Sequence, residues 1–187
     1  SDSMYVSYAQ LPAAVGGAIG NDLKVAAIDP DDLATGGAVG SFVTWVVDNR
    51  TNVFPNIAAK PLLSAAKSPS GLYGFAYYFF DNNASHTNSK LYYGFRGGTT
   101  ASPVFSEKLV TSFQQSASLT AGVGLMPSLA YDSGSNPIIA FHNGAVAEAH
   151  LVVARSPDGG ASVSVHVVDD TSANVGQYAS AAVTGST

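Results

Sequence analysis

Four histidines are the side chains of this chain best suited to bind a metal ion or to act as a general base near neutral pH. They are His86, His142, His150 and His166. His142 and His150 flank one polar stretch and His86 lies in another, so these three would converge if the two stretches were neighbours in the fold. Their spacing matches no metal-ligand pattern, and no nucleophile elbow precedes any serine. The sequence therefore predicts neither a metal centre nor a serine hydrolase.

An acidic group at Asp29, Asp31 and Asp32 offers oxygen ligands of the kind that Ca²⁺ prefers. The group lacks the alternating ligands and the glycine of a dedicated calcium loop, so it is interpreted as a solvated acidic turn. The chain contains no cysteine, which excludes disulfides, thiolate nucleophiles and cysteine-ligated metals. We expect no metal and no cofactor.

The composition bounds the class of protein. The chain has 187 residues, of which 46% are hydrophobic and 11% charged, with a formal net charge of −5. This length suits one domain with a sizeable core. No basic run and no apolar stretch of about 20 residues occurs, so nucleic acid and membrane insertion are not expected. A cysteine-free composition rich in Ser, Thr and Gly is common in bacterial secreted and surface β-proteins, and we expect that localisation.

The residues named above would be positioned by a repeated hairpin. Two strand-like runs joined by a short turn occur at Pro61-Leu-Leu-Ser-Ala-Ala66 with Leu72–Tyr78, and again at Pro127-Ser-Leu-Ala-Tyr-Asp132 with Pro137–His142. A third copy would combine residues 178–184 near the end of the sequence with residues 4–8 near its beginning. The pattern predicts three copies of one unit, interrupted inside a hairpin.

Each unit contains four short strand-like segments separated by turn residues. The predicted unit boundaries are 4–48, 61–111 and 127–170, with a closing strand at 178–184. Val163, Val165 and Val167 alternate with polar residues, as a half-buried strand requires. No segment carries an apolar stripe at helical spacing, so the predicted class is all-β with three four-stranded antiparallel sheets.

One turn between a third and a fourth segment carries a recognisable motif. Its residues are Ser156, Asp158, Gly160, Ser162 and Val163. They resemble the Asp-box (BNR repeat) of the sialidase-like β-propeller family, with Val163 at the position of the usual bulky aromatic residue. The equivalent turn of the middle unit, which begins at Arg96, lacks the Asp, and that of the first unit lacks the Gly. The resemblance implies β-propeller blades and a structural role for the motif.

Three blades are too few to close a propeller ring, which needs about four to eight. We therefore expect self-association, in which two chains close a six-bladed ring and each terminal blade is completed by strand exchange through residues 178–184. The alternative partner is the remaining part of a longer, cut propeller.

The resemblance also raises an enzymatic function, since sialidases use an arginine triad, a Tyr nucleophile with a Glu partner, and an acidic Asp. Arg50, Arg96 and Arg155 do not lie in matching contexts, so a glycosidase is a remote alternative and no catalytic residue is predicted. Recognition of a glycan or protein ligand through a loop face is expected, with a structural role in a larger assembly as the alternative. The candidate ligand-binding residues are Asn82, Asn83, His86, His142 and Asn143.

Overall fold

The computed structural model describes residues 4–10, 22–28, 43–48, 63–82, 87–98, 103–115, 123–144, 150–171 and 175–184. Within these ranges the chain forms β-strands and turns and contains no helix. The strands are β1 (Met4–Gln10), β2 (Asp22–Ile28), β3 (Val43–Asp48), β4 (Leu63–Lys67), β5 (Tyr73–Asn82), β6 (Thr87–Gly98), β7 (Pro103–Gln115), β8 (Val123–Tyr131), β9 (Pro137–Asn143), β10 (His150–Arg155) and β11 (Ser164–Asp169).

The strands form three antiparallel sheets, in each of which consecutive strands are neighbours. We call β1-β2-β3 the N-terminal sheet, β4-β5-β6-β7 the middle sheet and β8-β9-β10-β11 the C-terminal sheet. The prediction of an all-β chain is confirmed, and two of the three sheets have the expected four antiparallel strands. The N-terminal sheet has three described strands, and no described strand pairs with the outer edge of β1.

The main core lies between the middle and C-terminal sheets. The middle sheet contributes Ala76, Leu91, Tyr93 and Val110, while the C-terminal sheet contributes Leu129, Tyr131, Ile139, Phe141, Val152 and Ala154. β5 and β9 are buried along most of their length because both lie in the interior of their sheets and are apolar on both faces. Burial of these apolar side chains is the main force that holds the two sheets face to face.

A buried tyrosine pair joins the same two sheets. The hydroxyls of Tyr93 and Tyr131 lie 3.1 Å apart and share a hydrogen bond. Burial raises the pKa of Tyr93 and of Tyr131 above the ordinary value of 10.0. Gly74 makes room for this pair, since a Cβ atom there would lie 1.7 Å from the Tyr131 hydroxyl oxygen.

The opposite face of the middle sheet carries aromatic side chains. Tyr77 stacks on Tyr92 with ring centroids 5.5 Å apart, and Phe79 contacts Tyr92 edge to face. The Tyr77 hydroxyl donates a hydrogen bond to the Glu107 carboxylate, which supplies a partner for a side chain with no exposed surface. The middle sheet is therefore packed on both faces.

The outermost strand of the C-terminal sheet differs from the sequence prediction. Val163 packs against the core, but Val165 and Val167 are 44% and 54% exposed, so the alternating valines of β11 do not form a half-buried strand. The reason is position, since β11 is the edge strand of its sheet. In the described part of the chain, no helix has the length and apolarity needed to cross a membrane.

Candidate functional site

The middle and C-terminal sheets begin with the same hairpin. Ser68 N–H donates to the Leu72 carbonyl at 2.8 Å, and Asp132 N–H donates to the Asn136 carbonyl at 3.0 Å. The residue two positions before the second strand adopts positive φ in both turns, 87° at Gly71 and 64° at Ser135. Although the two turns share little sequence, they fix the same register between the flanking strands. Equivalent positions in β4 and β8 can therefore be counted from the turns.

By this count Ser64 is equivalent to Ser128, because each lies four residues before the residue that opens its turn. The cross-strand partners agree, since Ser64 lies opposite Ala76 and Ser128 lies opposite Ala140. Ser64 connects the two sheets, because its hydroxyl accepts a hydrogen bond from Leu129 N–H at 3.0 Å. We call such a hydrogen bond, from a backbone N–H to the serine of the preceding first strand, a serine–amide contact.

Residues 175–184 lie against the face of the C-terminal sheet that is turned away from the core. Val175 accepts a hydrogen bond from His142 Nδ1 at 2.8 Å, and Gly176 lies over Leu151. Farther along the segment, Tyr178 N–H points at the Met126 sulfur at 3.3 Å. The face that carries His142 is covered by this segment, which is why a polar ring in β9 is only 4% exposed.

A second serine–amide contact lies within this segment. Ala181 N–H donates to the Ser128 hydroxyl at 2.9 Å. Ala181 N–H thus contacts Ser128 of β8 in the same way that Leu129 N–H contacts Ser64 of β4. Residues 179–184 form no strand with any described residue, although the sequence predicts a closing strand at 178–184. The segment occupies the position at which a further first strand would lie.

The N-terminal sheet shows the complementary gap. β4 contacts β1 of the N-terminal sheet, and β8 contacts β5 of the middle sheet. β1 therefore corresponds to a second strand, and the N-terminal sheet lacks a described first strand beside it.

The motif at residues 156–163 forms a tightly hydrogen-bonded turn. Asp158 Oδ1 accepts from Ser156 Oγ at 2.8 Å and from Ser162 N–H at 2.7 Å, while Oδ2 accepts from Ser162 Oγ at 2.7 Å. Gly160 N–H donates to Ser156 Oγ at 2.6 Å. Gly160 has φ of 104° and lies against the Tyr93 ring, so a side chain there would be both strained and too close.

These hydrogen bonds govern the charge of the turn. Donation from the Ser162 backbone and from the Ser162 and Ser156 hydroxyls lowers the pKa of Asp158 from 3.8 to about 2. The carboxylate is therefore ionised throughout the physiological range, and both its oxygens are engaged inside the turn. Val163 anchors the end of the turn on the core.

The Asp158 turn and the two hairpins are connected. Gly159 N–H donates to Asn136 Oδ1 at 3.1 Å, and Asn136 Nδ2 donates to Asp132 Oδ2 at 3.1 Å. Ser70 N–H of the middle sheet donates to Ser135 Oγ of the C-terminal sheet at 2.9 Å. We call this end of the sheets the hairpin end.

The opposite end of the sheets, which we call the loop end, contains the strand ends Asn82, Thr87, Gln115, Val123, Asn143 and His150. Asn82 is the last residue of β5 and Asn143 the last residue of β9, so both lie there. His142 also lies at the loop end but is buried beneath Val175. Asn83 and His86, the other two candidate ligand-binding residues, lie outside the described residues.

In the described ranges, no group of three or more His, Cys, Asp or Glu side chains is close enough to hold a metal ion. His150 begins β10 and His166 lies exposed on β11. The acidic residues Asp29, Asp31 and Asp32 lie outside the described residues. The described geometry includes hydrogen bonds that join neighbouring sheets.

A scan against protein-family models and searches of curated proteins and of solved structures found no match to this chain. The interpretation of the site therefore rests on its geometry. Sequence reasoning did not identify Ser64 and Ser128 as functional residues. The signal that could have found them is a serine at the same distance before both interior hairpins.

Proposed function

We propose that this protein is a non-enzymatic assembly unit that supplies three blades of a β-propeller and closes into a six-bladed ring with a second copy of itself. The observation that carries the proposal is the pair of serine–amide contacts. Because the Ala181 contact with Ser128 repeats the Leu129 contact with Ser64, it supports a role for residues 178–184 as the first strand of a further sheet. In the part of the chain that the structure describes, β1 of the N-terminal sheet has β2 as its one neighbouring strand, so a second copy could receive that strand beside its β1.

The number of described sheets supports a ring of six blades. Propellers contain about four to eight blades, so one copy of three sheets is too few, two copies give six, and three copies give too many. A pair related by twofold symmetry would exchange two equivalent strands and leave no terminal sheet edge open. Main-chain hydrogen bonds between residues 178–184 and the partner's β1 would add the strand, as in β-augmentation.

Sedimentation equilibrium of the purified chain tests this proposal. At micromolar concentration we expect twice the chain mass of 19.1 kDa. Ala181→Pro removes the N–H that donates a hydrogen bond to the Ser128 hydroxyl, so this variant should sediment as a folded monomer. A wild-type chain that stays monomeric up to about 100 µM, a concentration that saturates associations of ordinary affinity, would refute the ring.

Recognition through the loop end is a second candidate function. It is favoured by the location of Asn82 and Asn143 at the same ends of the equivalent strands β5 and β9. In a closed ring these ends would form one face with the loops that follow them, and amide side chains there could donate to and accept from a glycan or a polar protein surface.

A glycan array probed with the wild-type chain tests this second function. Two variants are tested, Asn82→Ala and the double variant Asn83→Ala with His86→Ala. Loss of binding in both, with binding retained in the hairpin-end variant Ser70→Ala, would support recognition through the loop end. No binding to any glycan would favour an assembly role without a carbohydrate ligand. Hydrolysis of a fluorogenic sialoside would contradict the non-enzymatic assignment.

A further inference from the structure

In β4, in β8 and in the C-terminal segment, a serine directly precedes the residue at the position equivalent to Leu129. Ser64 precedes Ala65 in β4, Ser128 precedes Leu129 in β8, and Ser180 precedes Ala181 in the C-terminal segment. Two of these serines already accept a backbone N–H from the next position along the array. Ser180 is exposed. In the proposed ring, its equivalent donor belongs to the second copy.

The equivalent donor is Ala65. In an antiparallel pair the backbone groups of alternate residues point away from the partner strand. The hydrogen bond from Ser68 N–H to the Leu72 carbonyl makes these two residues a hydrogen-bonded pair. Ala65 lies three residues before Ser68, opposite Phe75, so it is at a non-hydrogen-bonded position and its N–H points away from β5. This is the direction in which Leu129 N–H, at the equivalent position, meets Ser64.

Ala65 is exposed, and among the described residues none accepts a hydrogen bond from its N–H. No described strand occupies the first-strand position of the N-terminal sheet on that side. The N–H of Ala65 is therefore directed at a position that no described strand fills, and the Ser180 hydroxyl is an exposed acceptor in the C-terminal segment.

We propose that Ser180 of one copy accepts a hydrogen bond from Ala65 N–H of a second copy, as the third member of the serine–amide series. This inference rests on the proposed ring and adds to it the register at which the two copies meet. In a twofold pair the contact occurs twice, because each copy contributes one serine and one N–H.

The dimer dissociation constant of Ser180→Ala, measured by sedimentation equilibrium, tests the contact. One hydrogen bond contributes about fivefold to an equilibrium constant, so the loss of two equivalent bonds should weaken the dimer about 25-fold. Ser180→Thr retains a hydroxyl and should restore most of the affinity. The matched control is Thr184→Ala, which removes a hydroxyl from an exposed position of the same segment and should leave the dissociation constant unchanged.

Cross-linking tests the register directly, since the chain has no cysteine of its own. Ala65→Cys and Ser180→Cys variants, mixed in equal amounts and oxidised, should give a disulfide-linked dimer on a non-reducing gel. In the two observed serine–amide contacts the N and Oγ atoms lie 3.0 and 2.9 Å apart, which keeps the two Cα atoms within about 7 Å, the limit that a disulfide can span. Each variant oxidised alone should give little cross-linked product.

The outcomes separate this inference from the proposed function. A monomeric wild-type chain would refute both. A wild-type dimer whose dissociation constant is unchanged in Ser180→Ala, and whose cysteine mixture gives no heterodisulfide, would refute only the Ser180 contact. A disulfide formed within single molecules of the double-cysteine variant would also refute it, because the contact would then lie inside one chain.

Discussion

The packing of the middle sheet on the C-terminal sheet can be tested at Gly74. This glycine lies in β5 without positive φ, so the backbone tolerates alanine, but the new Cβ atom would lie 1.7 Å from the Tyr131 hydroxyl oxygen. The oxygen would have to withdraw by more than about 1 Å to reach ordinary contact. Tyr131 is only 8% exposed and is bonded to Tyr93, so the ring has little room to move.

The expected cost of Gly74→Ala follows from two opposing effects. Overpacking a tight site costs about 1–3 kcal/mol, and the upper part of that range applies because the contact is short. Alanine regains about 0.5–1 kcal/mol over glycine within a strand. The net loss of stability should be about 2 kcal/mol.

Tyr131→Phe provides the rescue. Alone it should cost about 1 kcal/mol, because the buried Tyr93 hydroxyl loses its partner. In the presence of Gly74→Ala it removes the clashing oxygen and leaves the ring carbon Cζ at 3.0 Å as the nearest atom of that side chain. The double variant should therefore be only slightly less stable than Tyr131→Phe, with a coupling energy of about 1.5 kcal/mol between the two sites.

Urea unfolding followed by circular dichroism, at one fixed protein concentration, measures these free energies. Gly97→Ala is the matched control, since a Cβ atom there would meet only the Val104 carbonyl oxygen, at 3.8 Å, and should be neutral or slightly stabilising. A loss of stability below about 0.5 kcal/mol for Gly74→Ala would contradict the close packing at this site. Additive effects of Gly74→Ala and Tyr131→Phe on the free energy of unfolding would contradict it as well.

Three further predictions concern single groups. Hydrogen bonds lower the pKa of Asp158 from 3.8 to about 2, so its contribution to stability is present above about pH 4 and is lost as the pH falls toward 2. Thermal melts across that range should show that the melting temperature of Asp158→Asn depends less on pH than that of wild type. An equal dependence on pH in the two proteins would contradict this role. Burial raises the pKa values of Tyr78 and Tyr131 above 10.0, so stability should fall as the pH rises beyond about 10, and urea titrations of Tyr131→Phe should show a reduced alkaline loss; an equal loss would count against it. Gly124→Ala should lower stability by about 2 kcal/mol or more in the same titration, because φ is +87° and the new atom would lie 2.5 Å from Leu91 Cβ; a melting temperature like that of wild type would be inconsistent with this packing.

The sheets could be predicted because their turns carry local signals. The hairpins at 68–72 and 132–136 have turn-forming residues between apolar runs, and the Asp158 turn has its acceptor, donors and glycines within a few residues. Turns and hairpins of this kind are formed by residues close together in the sequence, so turn residues and hydrophobic periodicity predict them.

The contacts that join the sheets could not be predicted, because they depend on residues far apart in the chain. Ser64 meets Leu129 across 65 residues, and Ser128 meets Ala181 across 53. Serine is common in this sequence, so its type alone gave no signal. The burial of His142 depends on Val175, which is 33 residues away, and the exposure of Val165 depends on the edge position of β11.

The outer edge of β1, beside which no described strand lies, would make folding depend on assembly. In the proposed ring, β1 gains its missing neighbour only when a second molecule binds, so the free energy of this sheet includes a term in the logarithm of protein concentration. The middle and C-terminal sheets carry their own first strands and have no such term. On dilution, amide protons of β1–β3 should exchange faster while those of β5 and β9 keep their protection. The abundance of the protein in its surroundings would then decide how much of each chain is folded.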